Sequence, residues 1–229
     1  TVQAVAKILR SEGVEWVSCF PSNPLIEEVA KEDIRPIMFR HERGAVMAAD
    51  GFSRVNSRDK FGVVITQSGP GAENSMGGIA QAFSDNVPIL YLPAGPQLSE
   101  YAIRPNFSAV RTFQTVSTFG EVITHPSQVS SVLRRAFHHL RNGRPGPVIV
   151  EIPADVGNQV FLGDTIDYKS PRRARQIPDP DDVNTAVELL LKAKKPVIWA
   201  GMGVLLSGAS QFLRVLAELT GIPVYCTMP

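Results

Sequence analysis

The segment His41-Glu42-Arg43-Gly44-Ala45 sets a carboxylate at the head of an apolar stripe. On a helix, Glu42 shares its face with Ala45, Val46 and Ala49, while Arg43, Asp50 and Arg54 turn to the other side. Burying a carboxylate without a partner costs several kcal/mol or raises its pKa, and a carboxyl held that way suits proton transfer. The same pattern equally suits an ordinary first-turn glutamate, exposed at the helix end and stabilised by the helix dipole. A second segment, Ser68-Gly69-Pro70-Gly71-Ala72-Glu73-Asn74, follows a β-branched run and enters a helix. Glycines on both sides of a proline permit a sharp turn and close approach of a ligand to the backbone. Turn geometry alone accounts for them as well. The segment has neither the lysine of a phosphate-binding P-loop nor the spacing of a dinucleotide fingerprint, so phosphate binding is not indicated.

These residues need a scaffold, and the hydrophobic pattern describes one. Val2, Val5, Ala6 and Leu9 mark a helical face that Gly13 can end. A strand at Trp16 to Phe20 stops at Pro21-Ser22-Asn23-Pro24, a helix spans Leu25 to Lys31, and a strand covers Ile37 to Arg40. A longer helix is predicted from Glu42 to Ser57. The run Gly62 to Thr66 reads as a buried strand, followed by a helix to about Phe83 and strands at Pro88 to Leu92, Val122 to Thr124 and Pro147 to Ile152. Gln128 to Leu140 forms a helix between the last two, capped near Ser127 and released at Gly143. Continuous apolar strands alternating with amphipathic helices predict an α/β fold: a doubly wound parallel sheet with helices on both faces. The carboxyl edge of such a sheet is where ligands bind.

Composition narrows the function classes. Lys and Arg total 23 against 22 Asp and Glu, a net charge of +1, with 44% hydrophobic residues. A general nucleic-acid binder or polybasic membrane protein would be more lopsided. The two cysteines, Cys19 and Cys226, form neither a metal-ligand spacing nor a disulfide framework, which fits a reducing, cytoplasmic setting. The first ten residues lack a signal peptide's apolar core. Pro196 to Leu213 is uncharged but interrupted by Gly201, Gly203, Ser207, Gly208, Ser210 and Gln211, a composition of strand, loop and helix and not of a membrane span.

The stretch 157–181 changes character, holding Pro171, Pro178 and Pro180 with a basic cluster at Lys169, Arg172, Arg173 and Arg175. It reads as a solvated linker, with a polyanion site as the alternative. Beyond it, helix Asp182 to Lys192, strand Pro196 to Ala200, helix Ser207 to Thr220 and strand Ile222 to Cys226 begin a second α/β domain. Two strands are too few to cover themselves, so this second domain is expected to be incomplete and the sequence to be part of a longer protein.

Taken together, Phe20-Pro21-Ser22-Asn23, Arg40-His41-Glu42-Arg43-Gly44-Ala45, Ala48-Ala49-Asp50-Gly51-Phe52-Ser53-Arg54, Ser68 to Asn74 and Asp85-Asn86-Val87-Pro88 resemble the pyrimidine-binding domain of thiamine-diphosphate-dependent enzymes, the acetolactate synthase-like group most of all. Gly143 to Val148 and Ile152-Pro153-Ala154-Asp155 resemble that domain's closing strand. Ala193 to Pro229 resembles the start of the family's central domain. The resemblance implies a pyrimidine-binding domain over 1–156, a linker over 157–181 and a partial central domain over 182–229. It also implies that Glu42 hydrogen-bonds a ring nitrogen of the cofactor's aminopyrimidine. This promotes the imino tautomer, whose exocyclic nitrogen removes the thiazolium C2 proton before attack on a 2-oxo acid. Pro70 and Asn74 would line the pyrimidine site, and Pro21 and Ser22 would lie on the loop over cofactor and substrate.

Asn23 and Gln97 are candidates for the substrate pocket. Phe20 to Asn23 stands where acetolactate synthases commonly carry a tyrosine and paired glycines, and Ala94-Gly95-Pro96-Gln97 where they carry Gly-Gln. Leu98 to Arg111 matches the family poorly. No metal ligand is assigned to this chain: Mg2+ would be held by a Gly-Asp-Gly domain absent from it, and Gly163-Asp164 lacks that context. The resemblance also allows FAD on the central domain; Gly201 and Gly203 are consistent with it, and a tight strand-to-helix turn explains them equally well. The implied partners are a small 2-oxo acid and a second copy of the chain in a dimer or tetramer, with no nucleic acid and no membrane. The competing reading is a non-catalytic binding or assembly module that keeps the fold.

Overall fold

The computed structural model describes residues 1–56, 60–161, 166–174 and 176–227. Ser57, Gly163, Asp164, Arg175 and Pro229, which figure in the sequence reading, lie outside the described residues. The chain divides into two compact units, Thr1–Arg173 and Ala174–Pro229.

The first unit runs α1 (Val2–Ser11), β1 (Trp16–Cys19), α2 (Leu25–Lys31), β2 (Arg35–Met38), α3 (Glu42–Val55), β3 (Gly62–Thr66), α4 (Pro70–Ser84), β4 (Ile89–Gly95), α5 (Ala109–Thr112), β5 (Phe119–Val122), α6 (Val129–Arg141), β6 (Val148–Pro153) and α7 (Ala154–Asn158). Short 3-10 turns at Leu98–Glu100, Phe113–Val116 and Pro126–Gln128 join some of them. The six strands form one sheet in the order β2-β1-β3-β4-β6-β5, every neighbouring pair parallel. Every residue of β3 and β6 is buried, as a sheet covered on both faces requires. One core packs α1, α2 and α6 against the sheet, with Leu9, Leu25, Leu133 and Phe137 among its residues. The other packs α3, α4 and α5 against the opposite face, through Val46, Ile79, Tyr91 and Phe113. The doubly wound parallel fold expected from the pattern is present.

Several boundaries differ from the sequence reading. β5 lies at Phe119–Val122, not Val122 to Thr124. Pairing with β6 sets its register, and as a half-buried edge strand it has little apolar pattern of its own. β2, the other edge, starts earlier, at Arg35. The stretch after α7 is not solvated throughout: Phe161, Ile166 and Tyr168 pack against the α1/α6 core, and Tyr168 and Ser170 both donate to Glu12.

Glycines permit the closest approaches. A Cβ on Gly62 would come within 2.4 Å of the Ala49 backbone, so α3 lies directly on β3. A Cβ on Gly78 would meet Val46 Cγ1 at 2.7 Å, so α3 and α4 cross closely there.

The second unit contains α8 (Pro180–Lys192), β7 (Ile198–Ala200), α9 (Met202–Leu206), α10 (Ser210–Thr220) and β8 (Val224–Cys226), with β7 and β8 paired in parallel. Asp179 caps α8 by accepting the Asp181 N–H at 2.8 Å, with Pro180 in the first turn. The single helix expected from Ser207 begins instead at Ser210, because Gly208 takes φ +69° and ends a short preceding helix. No helix among the described residues is long and apolar enough to cross a membrane.

Candidate active site

In the sheet order, the chain moves one way from β1 to β2 and the other way from β3 to β4. The β1/β3 boundary is therefore the topological switch point, and the loops after those strands flank its crevice. Phe20–Pro24 leaves β1 there and Gln67–Gly69 leaves β3. α3 and α4 start at the same carboxyl edge.

Glu42 is the first residue of α3 and is 2% exposed. His41, extended at φ −158°, caps the helix by accepting the Arg43 N–H on Nδ1 at 3.1 Å. The exposed first-turn alternative does not hold, because Glu42 begins the buried stripe of Ala45, Val46 and Ala49. Asn74 Nδ2 donates to Glu42 Oε2 at 3.1 Å. The seam between α3 and α4 sets this pairing: Glu42 and Val46 stand one turn apart on α3, Asn74 and Gly78 one turn apart on α4. Closing Val46 onto Gly78 brings the carboxyl to the amide. The other oxygen, Oε1, lies 3.4 Å from where a Gly71 side chain would begin. Among the described residues no protein donor reaches it.

Pro70 is the first residue of α4, after Gly69 at φ +58°, so the turn needs the left-handed conformation glycine allows. A side chain on Gly71 would strike Gln67 Cγ at 2.5 Å. Beneath this turn lies a buried network that the sequence reading missed. Tyr91 Oη pairs with Thr66 Oγ1 at 2.8 Å and donates to Ser75 Oγ at 3.2 Å, and Ser75 in turn donates to the Gly71 carbonyl at 2.9 Å. Burial pushes the Tyr91 hydroxyl pKa up, with Glu42 and Glu151 adding to the shift. Tyr91 therefore remains a neutral hydrogen-bonding strut.

The other candidate residues separate. Pro21 and Ser22 are exposed at the mouth of the β1 loop, with Ser22 at φ +77°. With Asn23, Pro24, Ile26, Glu27 and Met38 they line an open depression. Asn23 is buried, and its side chain is engaged by backbone: Nδ2 donates to the Thr66 carbonyl at 2.8 Å and the Leu92 carbonyl at 3.4 Å, and Oδ1 accepts the Leu25 N–H at 3.0 Å. Gln97 is exposed where the chain leaves β4, and Leu98 then turns to the α1/α6 core with its N–H on Asp155. The structure thus joins Glu42, Asn74 and the Pro70–Gly71 turn. It ties Asn23 to the strand ends and does not bring Gln97 to the carboxyl. Among the described residues no group of three or more His, Cys, Asp or Glu could hold a metal ion.

Comparison with known proteins gives this geometry a context. Residues 1–119 match the family described as "Thiamine pyrophosphate enzyme, N-terminal TPP binding domain", and residues 183–229 match "Thiamine pyrophosphate enzyme, central domain". An acetolactate synthase from Arthrospira platensis is 33% identical over 98% of this chain and 41% of its own length. A probable acetolactate synthase large subunit from Methanocaldococcus jannaschii is 32% identical over 99% of the chain and 40% of its own. A glyoxylate carboligase from Escherichia coli O157:H7 is 32% identical over 99% and 39%. The chain spans about two fifths of the length of these curated relatives.

Proposed function

The chain belongs to the thiamine pyrophosphate enzyme family, and we propose that it is the pyrimidine-binding part of an acetolactate synthase-like enzyme acting on a 2-oxo acid by decarboxylation, carboligation or both. The observation that carries this reading is Glu42: buried, fixed through Oε2 by Asn74, with Oε1 left without a protein donor beside a glycine turn. Such a cradle fits a flat heteroaromatic ring bearing a nitrogen, because Gly71 adds no side chain where the ring edge would lie. Thiamine diphosphate, when bound, supplies the electron sink that 2-oxo acid chemistry needs. The protein's part is to hold a proton at Glu42 Oε1, to keep the carboxyl plane fixed through Asn74, and to shape the wall with Pro70. Pro21 and Ser22, at the mouth of the same crevice, are suited to cover cofactor and substrate.

The same reading assigns the diphosphate and Mg2+ to a domain outside this chain, contributed within a homo-oligomer in the cytoplasm. It divides the chain into a cofactor domain over 1–156, a connecting segment over 157–181 and the start of the central domain over 182–229. FAD on that central domain is supported by Gly201 and Gly203. Neither has a left-handed φ, and a side chain there meets nothing closer than 3.8 Å, so the fold itself does not require glycine at either position.

The test is Glu42→Gln in the full-length enzyme, read as carbon dioxide release from 2-oxo acids with thiamine diphosphate and Mg2+. Loss of a positioned proton carrier should lower kcat by about 10²-fold or more. Unchanged turnover would refute the assignment, and an assembly function untouched by the change would favour a scaffold.

A further inference from the structure

One buried carboxyl has no part in the site described above. Glu151, in the middle of β6, is 1% exposed. Its Oε2 accepts from Tyr101 Oη at 2.7 Å, Val110 N at 3.1 Å and Ser108 Oγ at 3.3 Å. Its Oε1 is sealed from solvent, has no hydrogen-bond partner, and lies 3.0 Å from where a Gly95 side chain would begin. A Glu in a strand otherwise made of Val, Ile and Pro is costly, and three donors converging on one oxygen are the compensation.

All three donors come from the segment between β4 and β5, which has little regular structure of its own. That segment continues into Phe113, fully buried, whose ring stacks on Tyr91 at 5.9 Å and meets Phe107 at 6.0 Å. Tyr91 is the strut under the Gly71 turn, and Gly71 borders Glu42. Glu151, Tyr91 and the Phe113 ring share one face of the sheet with α3 and α4, since Glu151 stands two residues from Ile149 of that core and points the same way.

We propose that Glu151 is a positioning residue for the cofactor site: it pins 101–110 so that Phe113 stays seated on Tyr91 and the Gly71 turn keeps its distance from Glu42. This rests on the reading of Glu42 as the pyrimidine contact. The route is a contiguous set of packed and hydrogen-bonded groups, so its coupling is measurable.

The experiment uses the full-length enzyme and three variants, Glu151→Ala, Glu151→Gln and Glu42→Gln. Hydrogen exchange of 101–113 without cofactor reads the clamp alone. Thiamine diphosphate concentration at half-maximal activity, against kcat at saturation, reads transmission to the site. Glu151→Ala should speed exchange in 101–113 about tenfold by removing the shared acceptor. It should also raise the half-activating cofactor concentration about tenfold, with kcat at saturation changed less, because a displaced turn weakens positioning. Glu151→Gln keeps an acceptor oxygen and should stay near wild type in both. Unchanged exchange in Glu151→Ala overturns the clamp. Faster exchange with unchanged cofactor activation overturns the transmission, as does a Gln variant no better than Ala. If Glu151→Ala does not fold, Tyr101→Phe and Ser108→Ala each remove one donor and are read the same way. An active Glu42→Gln enzyme would sink the cofactor reading while leaving the exchange result to judge the clamp.

Discussion

Asn23 separates two roles that a sequence motif alone leaves entangled, substrate contact and structural clamp. Its amide bridges the loop after β1 to the ends of β3 and β4, and its carbonyl caps the start of α2. Pro93, paired opposite Thr66, brings no N–H to that end of the sheet, so donors must come from a side chain. Asn23→Ala would leave the Thr66 and Leu92 carbonyls and the Leu25 N–H unpaired in a buried place. At about 1–3 kcal/mol for each unsatisfied group, and less for the long 3.4 Å contact, the loss should be about 3 kcal/mol. Asn23→Asp keeps the acceptor for Leu25 but sets a carboxylate oxygen 2.8 Å from the Thr66 carbonyl, where the donor stood. At pH 8 it should therefore cost more than alanine, about 4 kcal/mol or above. The repulsion raises the folded-state pKa of the new carboxyl over its unfolded value of about 3.9, so its stability is intact below that value and lost as pH rises through the folded one. Urea denaturation at pH 8 and pH 5 would show the Asp variant regaining stability relative to wild type on acidification, with the Ala variant's deficit relative to wild type the same at both. An Asp variant as stable as Ala at pH 8 would refute the clamp. So would two stable variants with a raised KM, which would make Asn23 a substrate group.

Other consequences follow from single contacts. Burial raises the Glu151 pKa, so its contribution to stability is present below about 4.3 and is lost as pH climbs through the folded value. Glu151→Gln should therefore gain in denaturation midpoint over wild type at pH 8 relative to pH 4.5, and a pH-independent difference would contradict this. Arg141 donates to Glu12 at 2.5 Å, with Glu12's side chain 1% exposed, and lies over the Phe61 and Phe137 rings. Arg141→Ala should destabilise by about 3 kcal/mol, because it removes the buried carboxylate's counter-charge and leaves it only the Tyr168 and Ser170 hydroxyls, and an effect under about 1 kcal/mol in urea titration would refute it. Gly62→Ala places a methyl within 2.4 Å of the Ala49 backbone, so α3 must lift off β3; soluble, wild-type-like protein in a thermal melt would count against that packing. Burial pushes the Cys19 thiol up to about 11, so thiol reagents at pH 8 should label exposed Cys226 and spare Cys19 until the chain unfolds.

The elements legible in the sequence are those whose burial wrote a pattern. The Gly62 to Thr66 run and the Pro147 to Ile152 run could only be covered strands, and both are buried throughout. Edge strands wrote almost nothing: β2 and β5 are exposed or half-buried, and their positions follow from pairing with β1 and β6. The helix read as Asp182 to Lys192 ends where expected but starts two residues earlier, at Pro180, because the Asp179-Pro180 cap lies in a stretch whose prolines read as linker. The second helix of that unit could not be read closely, since Gly208 is as compatible with a helix interior as with the stop it forms. At the site, the stripe behind Glu42 was visible. The Asn74 contact was not derivable from either segment, because it depends on how closely Gly78 lets α4 approach α3.

Glu42 and Glu151 show why burial by itself does not identify a reacting group. Each is a carboxyl on an otherwise apolar face of its element, and each is almost wholly buried on the same side of the sheet. Their oxygens differ. Glu151 has one oxygen saturated by three donors from a single segment and the other sealed against solvent, an arrangement that orders chain and admits no ligand. Glu42 has one oxygen held by a single amide, while the other borders a glycine turn at the carboxyl edge and is not sealed, with the side chain 3% exposed. A carboxyl that is fixed and keeps one oxygen open at the crevice retains the capacity to bind and move a proton for a ligand, whereas one whose free oxygen is sealed inside the protein does not. Swapping these properties tests the distinction. Asn74→Ala removes the donor to Glu42 Oε2, and should impair turnover of the full-length enzyme while costing only about 1 kcal/mol of stability, because Asn74 is exposed and water can take the place of its amide. A loss of about 3 kcal/mol or more, the cost of stranding a buried carboxylate, would mean that Glu42, too, is chiefly a structural carboxyl.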